Sequence, residues 1–146
     1  MKTKYLVAVL SFVVVLLMTV GCGHSRKNYE NDMEVLNEMS DIDIDRLIYA
    51  VDKEAGKDIA KELKKEVKAL DFSTKEGKAI RNAVVDFIKI LGEMNSAILE
   101  IDEEGTDRYD AYLDILNEFE EKIKAAQEKV EDAITWFRYA AEKAGV

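Results

Sequence analysis

The chain has 146 residues, of which 48% are apolar and 35% are charged, and its formal net charge is −9. This composition is too apolar for a disordered chain and too rich in charge for a polytopic membrane protein. A single cysteine excludes an internal disulfide framework, and a single histidine excludes most metal sites built from several histidines. Proline is absent, so the sequence contains no strong helix breaker and permits long helices.

The first 22 residues differ from the rest of the chain. Lys2 and Lys4 precede an uncharged, mostly apolar stretch at residues 5–20, which is followed by Gly21 and Cys22. A basic start, an apolar stretch of roughly 16 residues and small residues at its end are typical of a secretory signal peptide, whereas a membrane-spanning helix needs about 20 residues. The sequence therefore predicts export from the cytoplasm.

The end of this leader resembles the lipobox of bacterial lipoprotein precursors. The resemblance is carried by Thr19, Val20, Gly21 and Cys22, with Thr19 at the position where leucine is commonest. It implies that signal peptidase II removes residues 1–21 and that the Cys22 sulfur carries diacylglycerol, with a fatty acyl chain such as palmitate on the amine. Two or three acyl chains on one residue hold a protein firmly on a membrane. The resemblance covers the leader alone.

Two other interpretations of the leader stay open at this point. Thr19 and Gly21 are small enough for cleavage by ordinary signal peptidase, which would leave Cys22 as a free thiol, and an uncleaved leader would itself act as an anchor. After removal of the leader, 19 basic and 30 acidic residues remain, which is a net charge of −11. Such a body repels nucleic acid and anionic headgroups, so membrane attachment is expected to come from lipid on Cys22.

The residue after the cysteine indicates in which membrane a lipoprotein is retained. Many two-membrane bacteria retain lipoproteins at the inner membrane when Asp stands there, and this chain has Gly23 instead. The lipoprotein resemblance therefore implies an extracytoplasmic, lipid-anchored protein of the cell envelope, on the outer membrane if the source has two membranes. In a source with one membrane, the protein would face outward from it.

The rest of the chain is expected to form a short tether and one helical domain at residues 29–146. The tether, residues 22–28, is polar, and its six residues after Cys22 reach about 20 Å when extended. Residues 29–39 carry apolar side chains at spacings of four and three, which predicts a short amphipathic helix.

Two longer helices of similar length are predicted next. Ser40 with an acid three residues later is typical of a helix cap, and apolar residues then recur every three or four positions through residues 41–70. Ser73 with Glu76 forms a second capping pattern, which predicts a helix at residues 74–103. Each helix would be about 45 Å long, and the short turn between them makes them antiparallel neighbours.

The last predicted helix is the longest, at roughly 57 Å, and would extend about two turns beyond the others. Its apolar residues follow a 3-4 repeat and are, in order, Tyr109, Tyr112, Leu116, Phe119, Ile123, Ala126, Val130, Ala133, Phe137, Ala140 and Ala144. We therefore expect an all-α fold, an elongated antiparallel three-helix bundle with an additional short N-terminal helix. The short turns favour a monomer, whereas the long heptad runs also permit a homomeric coiled coil.

Four aspartates form the pattern closest to a metal-binding loop. Asp41, Asp43, Asp45 and Asp52 occupy positions one, three, five and twelve of a calcium loop. Arg46 stands where that loop needs glycine, and acidic residues at a helix start are favourable without any metal. The preferred interpretation is a charged helix cap, with no metal and no cofactor.

The sequence predicts no catalytic constellation. The single histidine, His24, lies in the predicted tether, so the helical domain has no histidine base for a nucleophile. The sequence has no glycine-rich phosphate loop and no basic patch with interleaved aromatic residues. We therefore expect a protein that is not an enzyme and does not bind nucleic acid, with an enzymatic or metal-binding bundle as the remote alternative.

Trp136 and Tyr139 form the candidate partner surface. They lie three residues apart, off the apolar stripe of the last helix and on the part expected to overhang the shorter helices. Aromatic residues are enriched at binding hot spots, although Trp136 could instead widen the buried face. The leading hypothesis is a lipid-anchored module that binds an envelope protein or organises the envelope. The second is a self-associating coiled-coil spacer or adhesin.

Overall fold

A computed structural model describes residues 24–101 and 105–146 of the chain. These residues form four α-helices and one short 3-10 turn, with no strand among them. The elements are α1 (His24–Ser40), the 3-10 turn (Ile44–Leu47), α2 (Lys53–Ala69), α3 (Lys75–Leu99) and α4 (Gly105–Lys143). The all-α fold class is confirmed. The predicted signal peptide, its cleavage site and Cys22 lie outside the described residues.

The first helix begins earlier than predicted. α1 starts at His24, so residues 24–28, predicted as part of the tether, are helical. Arg26 Nε donates to Glu30 Oε1 one turn later at 2.6 Å, which stabilises this first turn. Leu36 and Met39 are buried in the core, in agreement with the predicted apolar stripe. With 17 residues, α1 is as long as α2 and is not a short accessory helix.

The predicted helix at residues 41–70 is wrong in its first third. The Ser40 hydroxyl donates to the Asn37 carbonyl oxygen at the end of α1 and does not cap a new helix. The chain instead makes the 3-10 turn, and Asn95 Nδ2 donates to the Leu47 carbonyl oxygen at 2.8 Å. In a continuous helix that oxygen would accept from the residue four positions later. The competing bond from α3 therefore helps to end the helix, and α2 starts afresh at the Asp52 cap.

The turn between α2 and α3 is held by a buried carboxylate from α1. Asp32 is fully buried and accepts hydrogen bonds from the Ser73 amide at 2.6 Å, the Thr74 amide at 2.9 Å and the Thr74 hydroxyl. Thr74, and not the predicted Ser73, caps α3, because its Oγ1 accepts from the Gly77 amide at 2.9 Å. A Cβ at Gly77 would lie 2.5 Å from Asp32 Oδ2, so this crossing requires glycine.

The core lies where α3 packs against both α2 and α4. On α4 the buried residues are Phe119, Ala126, Val130, Ile134, Phe137 and Ala141. The predicted stripe named Ala133 and Ala140 instead of Ile134 and Ala141, because a straight helix with 3.6 residues per turn drifts away from a 3.5-residue heptad repeat. In neither described range is a helix both long enough and apolar enough to cross a membrane.

The first turns of α4 are largely uncovered. No residue from 107 to 118 is buried, and the first buried side chain after them is Phe119. Tyr109 and Tyr112, predicted as core, are 60% and 38% exposed. The part of the last helix without cover is therefore its N-terminal part, not the C-terminal part where an overhang was predicted.

Candidate functional site

One end of the described structure carries most of its large exposed apolar side chains. Of eight large exposed hydrophobic residues among those described, six lie near the end of α3: Ile48, Tyr49, Val51, Tyr109, Tyr112 and Leu113. The first three follow the 3-10 turn, which is bonded to Asn95 of α3. The last three lie on the first turns of α4, which begins six residues after α3 ends. An ion pair between Lys53 and Glu100 also joins the start of α2 to this end.

The same end is strongly acidic. Residues 41–54, 93–101 and 105–114, which we call the acidic end, contain ten acidic side chains: Asp41, Asp43, Asp45, Asp52, Glu54, Glu93, Glu100, Asp107, Asp110 and Asp114. They contain three basic ones, of which Arg46 is paired with Glu66 and Lys53 with Glu100. The exposed tyrosines of this end are therefore surrounded by acidic side chains, whose negative potential attracts positively charged partners.

The four aspartates of the predicted calcium pattern lie at this end but form no metal site. Asp52 Oδ1 accepts from the Ala55 amide at 2.8 Å as the cap of α2, at a position that the sequence had placed inside a continuous helix. Asp43 precedes the 3-10 turn and makes no side-chain cap bond. In the described part of the chain, no three His, Cys, Asp or Glu side chains are placed to hold a metal ion.

Trp136 and Tyr139 are exposed at the opposite end, in a shallow groove. They are 65% and 49% exposed, and their rings meet edge to face with centroids 6.1 Å apart. Lys143 Nζ lies 4.5 Å from the centre of the Tyr139 ring, a cation–π contact. The first turns of α3 form the other wall of the groove, with Lys75, Glu76 and Ala79. The pair therefore lies beside α3, and the overhang that was predicted for it does not exist.

Tyr29, near the start of α1, contacts residues at this groove. Its hydroxyl donates to Glu76 Oε2 at 2.9 Å, and its ring meets the buried Phe137 edge-on at 5.4 Å. Burial, followed by the hydrogen bond and charge of Glu76 and the charge of Asp32, raises the pKa of Tyr29 from 10.0 to about 12. The neutral phenol is thus the form that the folded protein favours.

The raised pKa of Tyr29 predicts a loss of stability at high pH. Its stabilising effect is complete below pH 10.0 and is lost as the pH rises through about 12, because only the unfolded chain releases the proton easily in that range. We expect the free energy of unfolding to fall more steeply between those pH values in the wild type than in Tyr29→Phe. Urea unfolding across this range measures the difference. Equal slopes in the two proteins would contradict the raised pKa of Tyr29.

The end that carries the groove is basic. Residues 24–30, 68–79 and 136–146, which we call the basic end, contain seven basic side chains: Arg26, Lys27, Lys68, Lys75, Lys78, Arg138 and Lys143. They contain four acidic ones, Glu30, Asp71, Glu76 and Glu142. The expectation that the whole body repels anionic surfaces treated its net charge as evenly spread. The structure separates the charges, so the two ends differ in sign.

Sequence reasoning singled out one of these two exposed surfaces and placed the tyrosines of the other in the core. Trp136 was singled out because it leaves the apolar stripe, whereas Tyr109 and Tyr112 continue that stripe and were placed in the core. The available signal was the density of acids around them, at Asp107, Asp110 and Asp114. No protein-family model, curated protein or solved structure matches this chain, so the candidate surfaces are inferred from its own residues.

Proposed function

We propose that the protein is a lipid-anchored, extracytoplasmic helical module that binds an envelope protein through its acidic end. The observation that carries the proposal is the set of six exposed apolar side chains within ten acidic ones at that end. The lipobox-like leader supports anchoring through Cys22 in the cell envelope, on the outer membrane where there are two. No catalytic, cofactor or nucleic-acid role forms part of the proposal.

The proposed arrangement of the helices is an elongated antiparallel bundle of α2, α3 and α4, with α1 as a fourth helix. Two contacts support it. Asn95, near the end of α3, bonds to Leu47, shortly before α2 begins. The first turns of α3 share a groove with the last turns of α4. Consecutive helices in this arrangement run in opposite directions, which separates the two ends by the length of α3.

The chemistry of the acidic end indicates a basic partner with an apolar centre. Tyrosine is enriched at binding hot spots because its ring offers a large contact area and its hydroxyl a hydrogen bond. Surrounding acids accelerate the encounter with a basic surface and disfavour acidic ones. A protein surface with a basic rim around an apolar patch is therefore complementary to Tyr109, Tyr112 and Leu113.

Self-association through the same surface is the competing proposal, as in a coiled-coil spacer or adhesin. The exposed residues of α4 favour it, but joining two copies there brings ten acidic side chains against ten others. Like charges across an interface are unfavourable. We expect sedimentation equilibrium of the full chain in detergent to give a monomer at moderate salt. A dimer that depends on Tyr112 would replace the binding proposal with self-association.

The anchor is tested by labelling growing cells with a fatty acid. We expect label in the wild-type protein and none in Cys22→Ser, because the resemblance places the lipid on that sulfur and the adjoining amine. Membrane fractionation of the same cells measures attachment. Equal labelling of the two proteins would overturn the lipid anchor.

The partner surface is tested by photo-crosslinking in cells that express the full chain. A benzophenone amino acid replaces Tyr112 in one protein and Lys129, an exposed residue midway along α4, in the control. We expect one crosslinked protein at position 112 and none at 129. The purified partner should then lose about 30-fold in affinity for Tyr112→Ala, the scale of a hot-spot residue, and lose little for Lys129→Ala. Equal affinity of both variants would overturn the assignment of the surface.

A further inference from the structure

The basic end lies next to the proposed lipid anchor. α1 begins at His24, so only Gly23 separates its first residue from Cys22. Two residues of backbone reach at most about 7 Å. The extended tether of about 20 Å that the sequence suggested is therefore replaced by a very short connection.

The start of α1 is also fixed to the groove. Tyr29 contacts both Glu76 and Phe137, and it lies five residues after His24. Five residues of helix span about 7.5 Å. A lipid on Cys22 would thus hold the membrane surface within about 15 Å of these contacts.

The charges of the two ends favour the same orientation. The basic end has seven basic and four acidic side chains, whereas the rest of the chain after Cys22 has 12 basic and 26 acidic ones. Lys75 and Lys143 line the groove itself, and Lys75 is almost fully exposed. Each lysine near an anionic membrane contributes about fivefold in affinity, so this end is attracted and the acidic end is repelled.

The exposed aromatic pair suits the interface between lipid and water. Trp and Tyr are enriched at membrane interfaces because their rings are apolar and their N–H or O–H groups bind water or headgroups. Trp136 and Tyr139 are exposed and line the groove together with Lys75 and Lys143. A groove that combines exposed aromatic rings with lysine side chains suits an anionic lipid surface, because the rings enter the interface and the lysines bind the headgroup phosphates.

We propose that the basic end docks onto the anionic headgroups of the membrane that anchors the protein, with Trp136 and Tyr139 at the interface and Lys75 and Lys143 against lipid phosphates. This inference rests on the proposed lipid anchor. The occupant of the groove is the lipid surface, and docking orients the body. The acidic end then stands about 37 Å from the membrane, the length of the 25 residues of α3, where a partner can reach it.

Fluorescence of the full lipid-modified protein in vesicles tests the orientation directly. Trp136 is the only tryptophan of the chain, so all tryptophan emission reports on the groove. The vesicles contain phosphatidylcholine with or without phosphatidylglycerol, and one lipid is brominated near the headgroup or near the chain ends. With phosphatidylglycerol present, we expect a blue shift and stronger quenching by the bromines near the headgroup.

Two matched controls separate docking from anchoring alone. Trp136→Phe combined with Tyr112→Trp moves the single tryptophan to the acidic end, where we expect no quenching. Lys75→Glu with Lys143→Glu should abolish the blue shift. Lys124→Glu with Lys129→Glu makes the same change of charge on exposed residues in the middle of α4 and should preserve it.

The outcomes distinguish this inference from the proposed function. Flotation of the vesicles measures anchoring, with Cys22→Ser as the reference; loss of flotation in the wild type would overturn the anchor and the orientation with it. Flotation without quenching of Trp136, or equal quenching at position 112, would overturn the orientation alone. A blue shift that requires an added envelope protein would also overturn it and would assign the groove to that protein.

Discussion

Replacing Asp32 with alanine is expected to lower the free energy of unfolding by about 3–5 kcal/mol, a large share of the stability of a small domain. The fully buried carboxylate accepts from three donors, the Ser73 amide and the amide and hydroxyl of Thr74. Water cannot easily replace it, so the variant leaves buried donors without an acceptor. Urea unfolding followed by circular dichroism measures the loss.

Two further variants identify the cause. Asp32→Asn places an N–H₂ group against some of these donors, but it keeps the shape and one accepting oxygen. We therefore expect a smaller loss than for alanine. Glu34→Ala removes an exposed acid from the same helix and should change stability by about 0.5 kcal/mol or less. If Asp32→Ala cost no more than Glu34→Ala, the carboxylate would not be holding the turn to α1.

The role of Asp32 could not be predicted because its partners are distant in the sequence. It precedes Ser73 and Thr74 by 41 and 42 residues. An acid within a polar-looking helix is normally solvated, and only the packing of α1 against the α2–α3 turn removes it from water. The capping pattern at residues 73–76 located the start of α3 to within one residue, but it gave no sign that a second helix supplies the acceptor.

A helix and its buried face could be predicted from the sequence wherever the apolar stripe coincides with the face that packs against another helix. The stripe of α3 is an example, since Ile80, Val84 and Phe87 are buried as their spacing predicts. The stripe through residues 41–70 misled at two positions after the buried Ile44, because no other helix covers them: Ile48 and Val51 are 54% and 86% exposed. Local pattern could not show that Asn95 competes for the Leu47 carbonyl oxygen.

The candidate surfaces were also hard to predict from local pattern alone. A periodic stripe shows which face of a helix can be buried, and the partner that buries it must come from elsewhere in the fold. On α4 that partner is present at Phe137 and absent at Tyr109. Charge was more informative than hydrophobic pattern here, because the acids near Tyr109 and Tyr112 mark the exposed end even though both tyrosines continue the apolar repeat.

The second large effect on the free energy of unfolding is expected on α4, where the adjacent aromatic residues Trp136 and Phe137 differ in burial. Phe137 is 2% exposed and meets Tyr29 edge-on, whereas Trp136 is 65% exposed. Phe137→Ala should therefore destabilise the fold by about 3–5 kcal/mol, through lost burial and the cavity that remains. Trp136→Ala should cost about 0.5 kcal/mol or less. Circular dichroism during urea unfolding compares both variants, since it does not depend on tryptophan. Equal losses would place Trp136 in the core, and a core tryptophan could contact neither lipid nor partner.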